Sequence, residues 1–293
     1  MNPVAPPGRP RGAHPVVLVL LAVVSVQFGG ALAATLLPLV GVAGSVTLRL
    51  GLAALVLCAF VRPRLRGRTR ADWLLVGAFA LALTAMNITF YGSLTRLPIG
   101  VAVTIEFLGP LALAAALSRR GRDLAAVAAA LAGVVLIAEV ATTSWADLDL
   151  VGIGLALAAG ACWAAYIVLS RRTGARFEHL DGIAIAMALG AVATLPWGLA
   201  TAGAELWTAE ALTRGLGIAL LSSAIPYSLE LLALRHLTSG TFGILLSLEP
   251  AVAALAGLLV LGQVLSPAQL LGMALVVVAS ILVLGRPGAP ARD

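Results

Sequence analysis

Leu97-Pro-Ile-Gly100, with Pro110 ten residues further on, returns as Leu237-Thr-Ser-Gly240, with Pro250 in the same relation. Leu, Gly and Pro coincide at one constant offset of 140 residues, and each copy follows a short basic connection, at Arg96 and at Arg235-His236. Recurrence at a fixed offset is the mark of a chain built from copies of one unit. What surrounds the copies decides which unit. A helix that crosses a bilayer needs about 20 mostly apolar residues. Ten segments meet that condition: residues 15–34, 44–61, 73–94, 98–117, 124–141, 151–170, 182–200, 215–234, 240–262 and 268–285. Strands of a buried parallel sheet are also all apolar, but they run only about 4–8 residues. Residues 15–141 therefore hold five spans and residues 151–285 five more, between a tail at 1–14 and a tail at 286–293. An odd number of spans per copy turns the second copy upside down. The expected fold is all-α integral membrane: ten transmembrane helices in two inverted five-helix repeats, a plan that puts a solute site near the midplane where the copies meet.

Composition agrees. The 293 residues are 61% hydrophobic and 11% charged, with mean hydropathy +1.05. Soluble domains run near half apolar and a quarter charged. The net charge is +6 and all 19 basic residues are Arg. A nucleic-acid binder would gather them on one folded surface. Here they lie in short runs between apolar stretches, which excludes that class. Cys58 and Cys162 sit inside apolar spans with neither metal spacing nor a paired pattern, and read as small buried hydrophobes. The first apolar run is too long, and followed by too many like it, to be a signal peptide.

Basic residues accumulate in the cytoplasmic loops of membrane proteins. With the N-terminus placed in the cytoplasm, Arg9, Arg11, Arg62, Arg64, Arg66, Arg68 and Arg70 fall inside, as do Arg119, Arg120, Arg122, Arg171, Arg172, Arg176, Arg235, Arg286 and Arg292. Only Arg96 and Arg214 fall outside, together with the acids Glu139, Asp147, Asp149, Glu205 and Glu210. Both termini are expected in the cytoplasm.

A charge in hydrocarbon costs several kcal/mol, so it faces a cavity or a partner. Four such residues stand out: Arg49, Glu106, Glu230 and Glu249. Glu106 lies about 12 Å into the fourth span and Glu249 about 14 Å into the ninth, from opposite sides. On the repeat offset Glu249 corresponds to Gly109, one turn from Glu106, so the two acids hold near-equivalent faces. Each precedes a helix-breaking proline. Pro110 cannot donate to the carbonyl of Glu106, nor Pro250 to that of Leu246. Carboxylates and freed carbonyls together suit a cation, an ammonium group or a proton; the structural alternative is an ion pair or a protonated buried acid. Glu230 follows Pro226, which frees the carbonyl of Ser222, and the pair Ser222-Ser223 offers local hydroxyls for it. Arg49, near the outer end of the second span, has three readings: snorkelling to the interface, pairing with an acid, or binding a carboxylate through its planar fork.

Weaker cavity-lining candidates are Gln27, Asn87, Tyr91, Trp163, Tyr166 and Tyr227, since amides, hydroxyls and rings in membranes often only join helices. Spans five and ten carry almost no polar side chains and read as scaffold; Gly272 and Ser280 on the tenth would allow the close helix contact of a homodimer. There is no phosphate-binding Gly loop of the Walker type and no His or Cys cluster for a metal. His14, His179 and His236 fall in cytoplasmic segments, and no Ser/His/Asp set falls in one region. Neither cofactor nor enzyme chemistry is expected, and the polar groups are too few and discontinuous for a channel.

Several blocks resemble a known family. They are Gln27-Phe-Gly-Gly with Leu36-Leu-Pro-Leu-Val-Gly41, Thr47-Leu-Arg-Leu50, Ile105-Glu-Phe-Leu-Gly-Pro110 and Ala161-Cys-Trp-Ala-Ala-Tyr166. The strongest are Ser222-Ser-Ala-Ile-Pro-Tyr-Ser-Leu-Glu230 and Thr241-Phe-Gly-Ile-Leu-Leu-Ser-Leu-Glu-Pro250. As a set, over all ten spans, the chain resembles the two-repeat, EamA-type members of the drug/metabolite transporter superfamily, and within it the bacterial threonine and homoserine exporters. The resemblance implies ten helices, a central cavity between inverted halves, and export of small hydrophilic amino acids across the inner membrane in exchange for protons. The Arg-only, Ala-rich composition departs from familiar members, mostly in the loops.

A zwitterion needs an anion for its ammonium group and donors for its carboxylate. Glu106 or Glu249 would supply the anion, Arg49 or freed backbone N–H groups the donors, and the other glutamate would carry the proton. The alternative cargo is a drug, a nucleoside or another metabolite, held on the flat faces of Trp163, Tyr166 and Tyr227.

Overall fold

Hydrocarbon offers no hydrogen bonds, so an apolar chain that enters it must satisfy its own backbone, and helices do so within one segment. The computed structural model describes residues 14–118, 120–138, 149–261 and 265–284. They form α1 (Pro15–Val61), α2 (Arg70–Leu94), α3 (Ile99–Leu117), α4 (Gly121–Ile137), α5 (Leu150–Arg176), α6 (Asp181–Ala202), α7 (Ala209–Ala219), α8 (Ile225–Leu234), α9 (Ser239–Leu246), α10 (Leu248–Leu261) and α11 (Pro267–Leu284). A 3-10 turn, Gly203–Trp207, joins α6 to α7, and a π turn, Leu220–Ala224, joins α7 to α8. The described residues contain no strand. Among the described residues six stretches are long and apolar enough to cross a membrane: Thr35–Val61, Arg70–Leu94, Gly100–Leu117, Leu150–Arg176, Asp181–Trp207 and Ala209–Leu234. Pro15–Gly30, Ser239–Leu255 and Pro267–Val283 are shorter apolar helices. The chain is a multi-pass helical membrane protein.

The first two expected spans lie in one element. α1 has 47 residues, about 70 Å at 1.5 Å per residue, which is more than twice the hydrocarbon thickness. It is broken at Gly41, whose φ of 65° and ψ of −173° lie in a region open essentially to glycine alone. The break reverses the chain. Ser25 and Arg49 would stand about 36 Å apart on a straight helix. Yet the Ser25 hydroxyl donates to the Leu221 carbonyl at 2.7 Å and Arg49 to the Ser222 carbonyl at 2.5 Å. α1 is therefore two arms brought to the same turn.

Other boundaries moved for local reasons. α7 starts at Ala209, ahead of the expected 215, because the Thr208 hydroxyl accepts from the Ala211 N–H and caps it. The ninth span divides at Ser247, whose hydroxyl donates to the Ile244 carbonyl at 2.6 Å. α3, by contrast, runs unbroken through Pro110. Residues 1–13 and 286–293 of the expected tails, the end of the fifth span with Glu139, and Asp147 lie outside the described residues.

α2 lies along α5, α1 along α6, and α3 against α5 and α9. A Cβ on Gly243 would stand 2.8 Å from the Pro110 carbonyl, and one on Gly240 3.8 Å from Ala114 Cα. Contact partners thus descend along α3 as they ascend along α9, so the segments carrying the two motif copies run antiparallel. α11 packs on α4, where a Cβ on Gly272 would meet the Gly133 carbonyl at 2.7 Å. Ser280 is buried and donates to the Val276 carbonyl. The small-residue face expected to serve a homodimer is spent inside the chain, because two glycine backbones let α4 and α11 approach.

Charges gather at the bundle ends. Beside the start of α2, Arg176 pairs with Asp72 at 2.6 Å, Arg68 with Asp181 at 2.7 Å and Arg64 with Glu178 at 3.4 Å. The Arg68 guanidinium also lies 4.6 Å from the centroid of Phe177. Beyond the other end of α2, Arg96 pairs with Asp149 at 2.8 Å.

Candidate functional site

The π turn decides where the polar centre forms. Pro226 has no N–H, so the Ser222 carbonyl lacks its helical donor, and the π register aligns Ile225 N–H with Leu220 instead. Two carbonyls are left for side chains of α1: Leu221 takes the Ser25 hydroxyl and Ser222 takes Arg49. Gly29 permits the approach, since a Cβ there would meet Ser222 Oγ at 1.9 Å.

Arg49 sits at the centre of this arrangement. Its Nε–H donates to Ser223 Oγ at 2.7 Å, Nη2 to the Ser222 carbonyl at 2.5 Å and to Tyr227 Oη at 3.0 Å, and Nη1 to Tyr91 Oη at 3.3 Å. The guanidinium carbon lies 5.9 Å and 5.7 Å from the Tyr91 and Tyr227 ring centroids, within cation–π range. Neither interface snorkelling nor an ion pair holds it: among the described residues no carboxylate lies within salt-bridge distance of Arg49. Asn87 donates from Nδ2 to the Leu83 carbonyl at 2.8 Å and to Tyr227 Oη at 3.5 Å. Tyr166 packs on Tyr227, with ring centroids 5.3 Å apart, and donates its hydroxyl proton to Glu230 Oε2 at 2.9 Å. Five of the residues expected from sequence, Arg49, Asn87, Tyr91, Tyr227 and Tyr166, thus join Glu230 in one network.

Glu106 is 7% exposed and Glu249 half-buried. Glu249 lies within electrostatic reach of Glu230, Glu106 and Arg49, and Arg49 within reach of Glu106. Among the described residues neither carboxyl has a hydrogen bond or ion pair. The three acids and the arginine therefore share one region, with two acids uncommitted.

Other expectations fare differently. Trp163 meets Phe107 edge-to-face at 4.9 Å, which is packing. Gln27 is half-buried and forms no hydrogen bond among the described residues. Pro110 does not break its helix, and the carbonyl it frees is not open to a solute. A Cβ on Gly160 would meet the Glu106 oxygen at 2.6 Å, so the Gly160 Cα–H faces that oxygen across the α3–α5 crossing. Pro226 opens α8 behind the π turn and Pro250 follows the join at Ser247, so these two do stand at breaks. The sequence reading left Ser223 without its arginine and missed Ser25 altogether. The adjoining proline marked Ser222 and Ser223; nothing local marks a serine in an apolar arm.

A bundle that spans the membrane many times and sets a half-buried arginine among tyrosines and serines, near carboxyls unpaired among the described residues, has the frame of a solute carrier. Residues 150–285 match the EamA-like transporter family. The chain is 41% identical over 268 residues to the threonine/homoserine exporter RhtA of Escherichia coli (strain K12), covering 91% of this chain and 90% of that protein. The RhtA protein of Salmonella typhimurium (strain LT2) matches at the same identity and coverage. The uncharacterized transporter YwfM of Bacillus subtilis (strain 168) is 26% identical over 253 residues, 83% of this chain and 84% of that protein. A solved crystal structure, 18% identical, superposes with a TM-score of 0.72 over 92% of this chain and 96% of its own, which shows a shared fold. This chain belongs to the EamA-like transporter family.

Proposed function

We propose that the protein exports small hydroxylated amino acids of the threonine and homoserine type across the bacterial inner membrane, in exchange for protons. Ten transmembrane helices, as two inverted five-helix repeats at residues 15–141 and 151–285, would carry it, with both termini in the cytoplasm. The two arms of α1 and the antiparallel α3 and α9 support that plan. The collected arginines beside Arg62 and Arg176 support a cytoplasmic placement of that end.

One observation carries the functional reading: a single region between the helices holds a half-buried cation fixed by neutral partners, and carboxyls with no partner of their own among the described residues. A zwitterion presents one charge to each. Unpaired carboxylates in a low-dielectric centre are costly, and a substrate ammonium group or a proton removes that cost. Glu106 or Glu249 takes the ammonium group while the other carries the proton; the two acids lie within electrostatic reach of each other, so an ammonium group bound at one favours the ionised form of the other and expels its proton, as exchange requires. The similarity to RhtA supports the choice of cargo.

Purified protein in liposomes loaded with labelled threonine tests this. Loss of label should accelerate under an imposed pH gradient and be competed by homoserine. Folded protein that releases no threonine, yet is inhibited by large aromatic solutes, would move the cargo to a drug or another metabolite on the same fold.

A further inference from the structure

Arginine has five N–H bonds to give. Arg49 spends Nε–H on Ser223, both Nη2 hydrogens on Ser222 and Tyr227, and one Nη1 hydrogen on Tyr91. A single Nη1 hydrogen remains. An arginine engaged on both its edges cannot offer the two-pronged fork with which the side chain usually grips a carboxylate.

The tyrosines hold what the arginine lacks. A phenol has one proton and two acceptor lone pairs. The Tyr227 oxygen accepts from Arg49 at 3.0 Å and from Asn87 at 3.5 Å, and the Tyr91 oxygen accepts from Arg49 at 3.3 Å. Among the described residues neither hydroxyl donates its proton to anything, although Tyr91 is 4% and Tyr227 5% exposed. A buried donor left unused is costly unless a ligand takes it. Tyr166 is the contrast, its proton already committed to Glu230. A phenol that accepts from a guanidinium is also a better donor, because linked hydrogen bonds polarise one another.

We propose that Tyr91 and Tyr227 form the carboxylate-binding subsite of the transporter. Their two O–H groups, with the remaining Nη1 hydrogen of Arg49, supply three donors to the carboxylate of the exported amino acid. Arg49 supplies positive charge and holds both phenol oxygens, and the Ser222 carbonyl and Ser223 hydroxyl fix its plane. The assignment rests on the amino-acid reading above and says which atoms meet the cargo.

The test compares L-threonine with L-threoninol, which keeps the ammonium group and the side-chain hydroxyl but has no carboxylate. Each competes against labelled threonine in efflux from liposomes holding wild type, Tyr91→Phe or Tyr227→Phe, with melting temperature in detergent checking that the variants fold. Removing a hydrogen bond to a charged ligand group costs about tenfold or more in affinity. Each variant should therefore raise the half-saturating threonine about tenfold while leaving that of threoninol within about twofold, and the double variant should bring the two solutes to similar values. Equal weakening for both solutes, or none for threonine, overturns the subsite while leaving threonine efflux by wild type standing. Absence of threonine efflux from wild type overturns the amino-acid reading and the subsite with it.

Discussion

Arg49 concentrates the energetics of the centre. Four of its donors serve acceptors fixed on α2, the π turn and α8. Lysine offers a compact ammonium group with three donors and cannot span that set. Arg49→Lys should therefore lower threonine efflux tenfold or more and reduce the melting temperature in detergent; wild-type rates would remove Arg49 from the mechanism. The carboxyls differ in kind. Glu230 is already held by Tyr166, whereas Glu106 and Glu249 are uncommitted. Glu106→Gln and Glu249→Gln should each abolish gradient-stimulated efflux at unchanged expression, since an amide neither carries a proton nor pairs with ammonium. If both variants still respond to the gradient, proton exchange through these groups is wrong.

At the scale of elements, the site depends on close backbone approach and on capped helix ends. A Cβ on Gly109 would stand 1.9 Å from the Gly160 carbonyl, backbone against backbone, where neither helix can yield cheaply. Gly109→Ala should destabilise the protein by about 1–3 kcal/mol and disturb Glu106, one turn away; a melting temperature equal to wild type would show that α3 and α5 can part without cost. At the start of α5, the Gly152 N–H donates to Asp149 and the Arg96 guanidinium pairs with it, and these hold its carboxyl below the ordinary carboxylate range. A carboxyl depressed on folding adds stability above its unfolded value, about 3.9, and loses it as pH falls through the folded value. Melting temperatures of wild type and Asp149→Asn should therefore differ by a constant amount from neutral pH to about pH 5 and converge in stronger acid. A difference that persisted at pH 2 would place the effect in packing rather than charge.

For the whole molecule, the Arg-rich end and the end near Arg96 and Asp149 give orientation a test. With Cys58 and Cys162 replaced by Ser, a cysteine introduced at Glu178 should react with a membrane-impermeant maleimide only in inside-out vesicles, and one at Trp207 only from outside in whole cells. The opposite pattern would invert the proposed topology. The sequence by itself determined the all-helical membrane class, the apolar spans, the segregation of arginine and the short list of buried polar residues. These follow from the cost of bare backbone and bare charge in hydrocarbon, which acts segment by segment and can be read locally. The copies at Leu97 and Leu237 likewise announced that two segments would be related. Only the tertiary structure decided which polar groups meet. The turn at Gly41 brings Ser25 and Arg49 to one π turn, and the donors of Arg49 go to Ser222, Ser223, Tyr91 and Tyr227 rather than to an acid. It also decided that the Glu106 carbonyl is covered by Gly160 and that Gly272 packs within the chain. Partners from 42 to 196 residues apart are chosen by how helices cross and where their registers slip, and no local pattern encodes that choice.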